Sequence, residues 1–314
     1  MFKVKLFVLN IICLLTLVSL NEAKFFKKEI KNVVDVCISG EDTYYLNQHG
    51  VVFVKKDGSF HSLELPDRLI QITSVKEVLY MLREDGSVWS YGDKKVSLID
   101  GKLPSKQILS AGNKLFILKN SGGLRSFKNG QVDDLIYDRN FEVMVTYGKN
   151  KLFFLDTYGR VWRYDMFSQH VSLIDSAPGS KSIVSSDRNL FLLKKDGTVF
   201  KYEAARFHAL KATKGIDCIA AKGTYLFMIN NEHQVLELNH MIDRLKVLKF
   251  EEKANFLKVV GAKLFVTSLN GSLFEYTPVN AYPVVQSRFN KLYEEDLFNV
   301  GRGFKKSGIK SHLR

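Results

Sequence analysis

Seven tandem copies of one short unit predict an all-β fold for this chain of 314 residues. Three observations carry that prediction: a hydrophobic hairpin pattern at a nearly constant step, turn residues at the same place in each copy, and scarce helix signals between copies. The clearest copies are Leu79–Tyr91 (LYMLREDGSVWSY), Leu152–Tyr164 (LFFLDTYGRVWRY) and Leu190–Tyr202 (LFLLKKDGTVFKY). Leu115–Phe127 and Leu264–Tyr276 follow the same pattern, and Thr43–Lys55 and Leu226–Leu238 follow it more loosely. One marker position runs through all seven: Gly50, Gly86, Gly122, Gly159, Gly197, His233 and Gly271, at steps of 36, 36, 37, 38, 36 and 38 residues.

Each copy reads as strand, tight turn, strand. Asp85-Gly86, Asp196-Gly197 and Asn270-Gly271 are dipeptides that tolerate positive φ, and aromatic and β-branched residues fill both arms. A short apolar stretch precedes each hairpin (Ile72, Ile108, Ile183) and another follows it (Val96–Ile99, Val171–Ile174), which makes four strands per repeat. Twenty-eight strands do not form one twisted sheet, since open sheets rarely exceed ~10. Packing seven small sheets radially buries both faces of each, so the expected architecture is a seven-bladed β-propeller with about four antiparallel strands per blade. Phe25–Lys31, which precedes the first repeat, is expected to close the ring as an outer strand beside the last one.

The flanks read differently. Residues 1–23 have the layout of a secretory signal peptide: Lys3 and Lys5, an apolar run from Leu6 to Leu20, and a polar stretch ending at Ala23, with cleavage expected there. That run is short for a membrane span of ~20 residues, and an uncleaved anchor is the alternative. Residues 24–286 are assigned to the propeller and 287–314 to a basic tail, with a short helix over 286–299. The formal net charge of +13 points to acidic partners outside the cell, sulfated glycans, anionic lipid surfaces or acidic proteins rather than nucleic acid, the alternative being lysines that only solvate the surface. Cys13 leaves with the signal; Cys37 and Cys218 fall on the innermost strands of the first and sixth repeats, a blade apart, and are expected to stay unpaired and buried.

The string DGSVWSYGD at Asp85–Asp93, with LYMLRE before it, resembles half of a repeat of the regulator-of-chromosome-condensation family, and DGTVFKYE at Asp196–Glu203 is similar. The second half of that motif, a Gly-Gln-Leu-Gly segment, is absent. The tectonin-type repeat is closer in period and also places a hydrophobic hairpin around Asp-Gly. The resemblance spans residues 33 to 286 and implies a propeller; it implies no shared activity, because propellers host many. Nucleotide exchange is not carried over.

Few residues present chemistry. The seven histidines lack metal-site spacing, and no nucleophile elbow, phosphate loop or sialidase aspartate box is found, so neither catalytic residue, metal nor cofactor is assigned. Trp89 and Trp162 share a repeat position with Phe53, Phe200 and Phe274, which predicts inter-blade packing. Arg125 occupies that position in the third repeat and is a candidate ligand contact, the alternative being an outward-pointing side chain on a drifted blade. Arg302, Lys305, Lys306 and Lys310 in the tail are candidate contacts for an acidic partner, and Asn270 begins a glycosylation sequon. The expected function is a secreted, non-catalytic scaffold binding an extracellular protein or acidic glycan. The alternatives are a glycan-active enzyme with carboxylates at the channel and a structural component of an extracellular layer.

Overall fold

The computed structural model describes residues 25–278 apart from 138, 187, 188 and 212. Twenty-eight strands form seven four-stranded antiparallel sheets there, without a helix. Six sheets are simple meanders; their strands are called a to d from the central channel outward. The seventh draws strands a, b and c from Ala254–Tyr276 and its outermost strand from Phe25–Lys31, as expected for ring closure. Phe25 pairs with Tyr276, and their rings stack 4.8 Å apart. The last described strand ends at Tyr276, so the proposed limit at 286, the signal, the short helix and the basic tail lie outside the described residues.

The core lies between blades. In blade 3, Leu115 and Ile117 pack with Tyr80, Leu82 and Ile108 on one side, while Phe116 and Leu118 pack with Phe141, Met144 and Phe154 on the other. The b strand is thus buried on both faces, which is why it reads as an unbroken apolar run rather than an alternating one. Trp89 and Trp162 pack half-buried against such inter-blade clusters, as their equivalence to phenylalanine predicts.

The marker residue seats one blade on the next. Its six glycines have φ between +76° and +84°, and a Cβ at Gly86 would lie 2.6 Å from the backbone of Pro104 and Ser105, where the following blade begins. The Ser105 amide donates to the Gly86 carbonyl at 2.9 Å, and Ala254 does the same to His233, also at 2.9 Å. His233 keeps a positive φ of 63°, so the sixth blade retains the contact without glycine. Its Nδ1 lies 3.0 Å from the Ala254 carbonyl oxygen and must be the protonated ring nitrogen, since a carbonyl only accepts.

Charged side chains fasten the outer seams. Lys119, at the end of strand b in blade 3, is buried with its ammonium on Asp100 (3.1 Å), Ser105 Oγ (2.9 Å) and the Leu103 carbonyl. Blades 4 and 5 repeat the arrangement with Lys194, Asp175 and Ser180. Cys37 and Cys218 lie on the a strands of blades 1 and 6 with blade 7 between them, and both thiols are free. Cys37 is buried. Cys218 departs from the expected full burial and is only partly covered, because its residue follows the strand bulge described next.

A candidate binding face at the channel mouth

Every a strand carries a β-bulge at the same place. The register slips once between Val33 and Asp35, and likewise in the other six, so that Val34, Ile70, Lys106, Glu142, Lys181, Asp217 and Asn255 each lack a partner on strand b. A bulge leaves one residue unpaired and re-aims its side chain. Here it sets one side chain per blade at the mouth of the channel, on the face bearing the b–c turns and the blade-to-blade connections. All are exposed except Lys106, which is half-buried.

The residue after the bulge fastens the ring beneath this mouth. Asp35 accepts a hydrogen bond from the Ile72 amide (2.8 Å), Gln71 from Ile108 (2.9 Å) and Gln107 from Met144 (2.7 Å). Each satisfies an amide on the next blade's inner edge, which has no neighbouring strand. At the closing seam Lys258 of blade 7 pairs with Asp35, and Thr267 Oγ1 donates to the Val33 carbonyl at 3.1 Å.

The mouth is chemically divided. Blades 1 and 2 contribute Val34 and Ile70, while blades 3 to 6 contribute ion pairs, Lys106–Glu142 at 2.8 Å and Lys181–Asp217 at 3.7 Å. Its two carboxylates therefore face lysines rather than each other, unlike the converging pair of glycoside hydrolases. The apolar side continues outward through Leu269 of blade 7 and Leu103 between blades 2 and 3, both exposed. Tyr137, in the connection to blade 4, and Tyr158, in that blade's b–c turn, are exposed on the same face, with Lys106 and the b–c turn of blade 3 between them and Leu103 in the order of the ring. On the opposite face the exposed Phe167, Met241 and Ile242 sit on c–d turns of blades 4 and 6, which are not adjacent.

The b–c turn of blade 4 is braced by the residue three before the marker, as Asn47 braces that of blade 1 through the His49 and Val51 amides and Asn230 that of blade 6 through the Glu232 and Gln234 amides. Asp156, buried, accepts hydrogen bonds from the amides of Tyr158 (3.0 Å) and Arg160 (2.9 Å), from Arg160 Nε (2.6 Å) and from Trp162 Nε1 (2.9 Å). Burial alone would raise its pKa, but the hydrogen bonds from Trp162 and Arg160 outweigh that and hold the carboxyl below its usual range. The Arg160 guanidinium lies 5.0 Å from the Tyr158 ring and 5.5 Å from Trp162, and Arg139 lies 5.7 Å from Trp162.

Arg125 lies at the expected position, across from Ile117, and is held in the seam between blades 2 and 3. Its Nη1 is 3.1 Å from Asp100 and its Nε 2.5 Å from Asp134. The charge thus balances a carboxylate of the fold. Asn270 sits in the b–c turn of blade 7, where its Oδ1 accepts from the Ser272 amide (2.9 Å) and Ser268 Oγ (2.7 Å). Arg302, Lys305, Lys306 and Lys310 lie outside the described residues. Among the described residues no three His, Cys, Asp or Glu side chains gather as a metal site would require, and no helix is long and apolar enough to cross a membrane. The mouth ring escaped the sequence reading, although its residues fall sixteen positions before the marker in six repeats and seventeen in the fourth.

No family model matches the sequence, and no curated protein does. Solved structures do. YCF48 from Cyanidioschyzon merolae aligns with a TM-score of 0.67 at 12% identity, over 82% of this chain and 99% of that one, and YCF48 bound to D1 peptide aligns with 0.66 at 14%, over 82% and 97%. A catalytically inactive virginiamycin B lyase from Staphylococcus aureus, with quinupristin, gives 0.65 at 11%, over 82% and 100%. Prp20p from Saccharomyces cerevisiae, with binding properties described toward Gsp1p and histones, gives 0.57 at 10%, over 83% and 85%. Likenesses at such identities establish the fold: this chain is a β-propeller repeat protein.

Proposed function

We propose that this propeller is a secreted, non-catalytic binding scaffold that receives a segment of an extracellular protein at its channel mouth. One observation carries the reading. Seven equivalent bulges set one side chain per blade at a single opening, and those side chains differ in chemistry while the strands around them repeat. A column that varies inside a conserved pattern of packing is free of the fold's demands and available for recognition. Neighbours described with a D1 peptide or with Gsp1p and histones are consistent with propellers acting this way. The acidic-glycan reading belongs with the basic tail, and the repeats themselves are proposed to be tectonin-like.

The test is site-specific crosslinking in native extracellular fluid, with a photoreactive residue at position 70 in the mouth or at 167 on the opposite face. A discrete protein adduct is expected from position 70 alone. Equal adducts from both positions, or none from 70, would refute the proposal. N-terminal sequencing of protein from the medium tests secretion, with Lys24 expected first; a membrane-bound chain retaining residues 1–23 is the contrary result.

A further inference from the structure

Two tyrosines on the mouth face are left unexplained by folding. Tyr158 stands immediately before the marker glycine of blade 4, where other blades place His49, Asp85, Ser121, Asp196, Glu232 or Asn270. Several of those polar residues brace the turn: Asp85 accepts from Ser87, Asp196 from Thr198 and Asn270 from Ser272. In blade 4, as in blades 1 and 6 with Asn47 and Asn230, the residue three before the marker does the bracing, here Asp156; the turn therefore does not need the Tyr158 side chain, which stands 64% exposed where those blades have His49 and Glu232. Tyr137, in the connection from blade 3, is 75% exposed. Both aromatic rings lie outside the core, Tyr158 on a braced turn and Tyr137 in a connection.

Their neighbours have the composition of an interaction hot spot, in which tryptophan, tyrosine and arginine predominate. The Arg160 charge is balanced by Asp156 at 2.6 Å. Arg139 is exposed and rests over Trp162, and among the described residues no carboxylate lies within ion-pair reach of it. A guanidinium lying on an aromatic ring is partly desolvated and held in place, and its N–H fork matches a carboxylate. By their order in the ring the exposed Leu269, Val34, Ile70 and Leu103 of blades 7, 1 and 2 make an apolar arc on the same face, with Lys106 of blade 3 between it and this group. Aliphatic side chains suit a polypeptide and give little to a sugar.

We infer that the Tyr137–Arg139–Tyr158 sector of blade 4 anchors an extended segment of a partner protein, its acidic side chain on Arg139 and its apolar side chains on the two tyrosines and the arc. This rests on the mouth-binding reading and names the chemistry of the partner. Asp156 fixes the turn that carries Tyr158 before binding, so little ordering is required of that turn.

The test is an arrayed library of synthetic decapeptides, each with a central Glu flanked by Leu, Val or Phe, beside the same peptides with Gln and beside sulfated oligosaccharides. The glutamate peptides are expected to bind at least tenfold more tightly than their glutamine versions. Arg139→Ala should abolish that preference, Arg139→Lys should keep part of it, and Tyr158→Ser should weaken both sets severalfold. These residues are exposed, so an unchanged denaturation midpoint confirms the fold of each variant. Peptide binding that survives Arg139→Ala but is lost with Ile70→Asp overturns the anchor and spares the mouth. Absence of all peptide binding overturns both, as does binding of sulfated sugars alone.

Discussion

Gly58 and Gly86 share a backbone conformation, with φ of +83° and +80°, in different surroundings. A Cβ at Gly58 meets nothing within 4 Å, whereas at Gly86 it meets the backbone of the next blade. Gly58→Ala is therefore expected to cost about 1 kcal/mol, for the conformation alone. Gly86→Ala adds the cost of overpacking and should reach about 2–4 kcal/mol, a difference that denaturant melts of the two variants will resolve. Cys37 offers a second test at this scale. Burial chiefly, and then the neighbouring Asp35, push its thiol pKa up, which suppresses the reactive thiolate. Thiol reagents should leave Cys37 unmodified in the native protein, and the denatured, unreduced mature chain should yield two labelled groups. An intramolecular disulfide found by mass spectrometry would contradict the blade order.

Among the elements, the outer seams depend on few charges. Asp100 is buried, which by itself raises its pKa, but hydrogen bonds from Lys119 and Arg125 prevail and hold it below the usual range. Burial pulls the Lys119 pKa down despite Asp100 beside it, so the ammonium is the less comfortable partner. A carboxyl whose folded pKa is depressed contributes stability that is full above its unfolded pKa of about 3.9 and is lost as pH falls toward the folded value. Stability should accordingly fall below about pH 4, and Asp100→Asn should be less stable at neutral pH with a shallower acid decline. Removing one partner strands the other, so Asp100→Ala should cost about 3–5 kcal/mol, while Asp100→Leu combined with Lys119→Met should cost less. Urea titrations from pH 3 to pH 7 will measure both.

For the whole ring, the seam between the termini is the place where covalent continuity is missing. Phe25 stacks on Tyr276, Lys28 pairs with Glu275 at 2.8 Å and Lys27 with Glu252 at 2.9 Å. A chain starting at residue 32 loses these and bares the edge of the seventh blade. Its melting temperature should fall by roughly 10 °C, and dimers should form with rising concentration because an exposed strand edge pairs with another; a monomer of unchanged stability would refute the closure. By itself the sequence determined the number of blades, the hairpin in each and the strand that closes the ring, because those depend on local periodicity and turn chemistry that recur seven times. The role of Arg125 was decided by Asp100 and Asp134, one from the neighbouring blade, and neither lies in its hairpin. Tyr158 reads in sequence as one more turn residue, and the structure shows that Asp156 braces its turn, so the ring is not needed for it. The channel mouth gathers residues 36 to 39 positions apart, each moved out of register by a bulge that no single repeat announces. Such a site exists only when seven strands converge on one axis, which is a property of the tertiary fold.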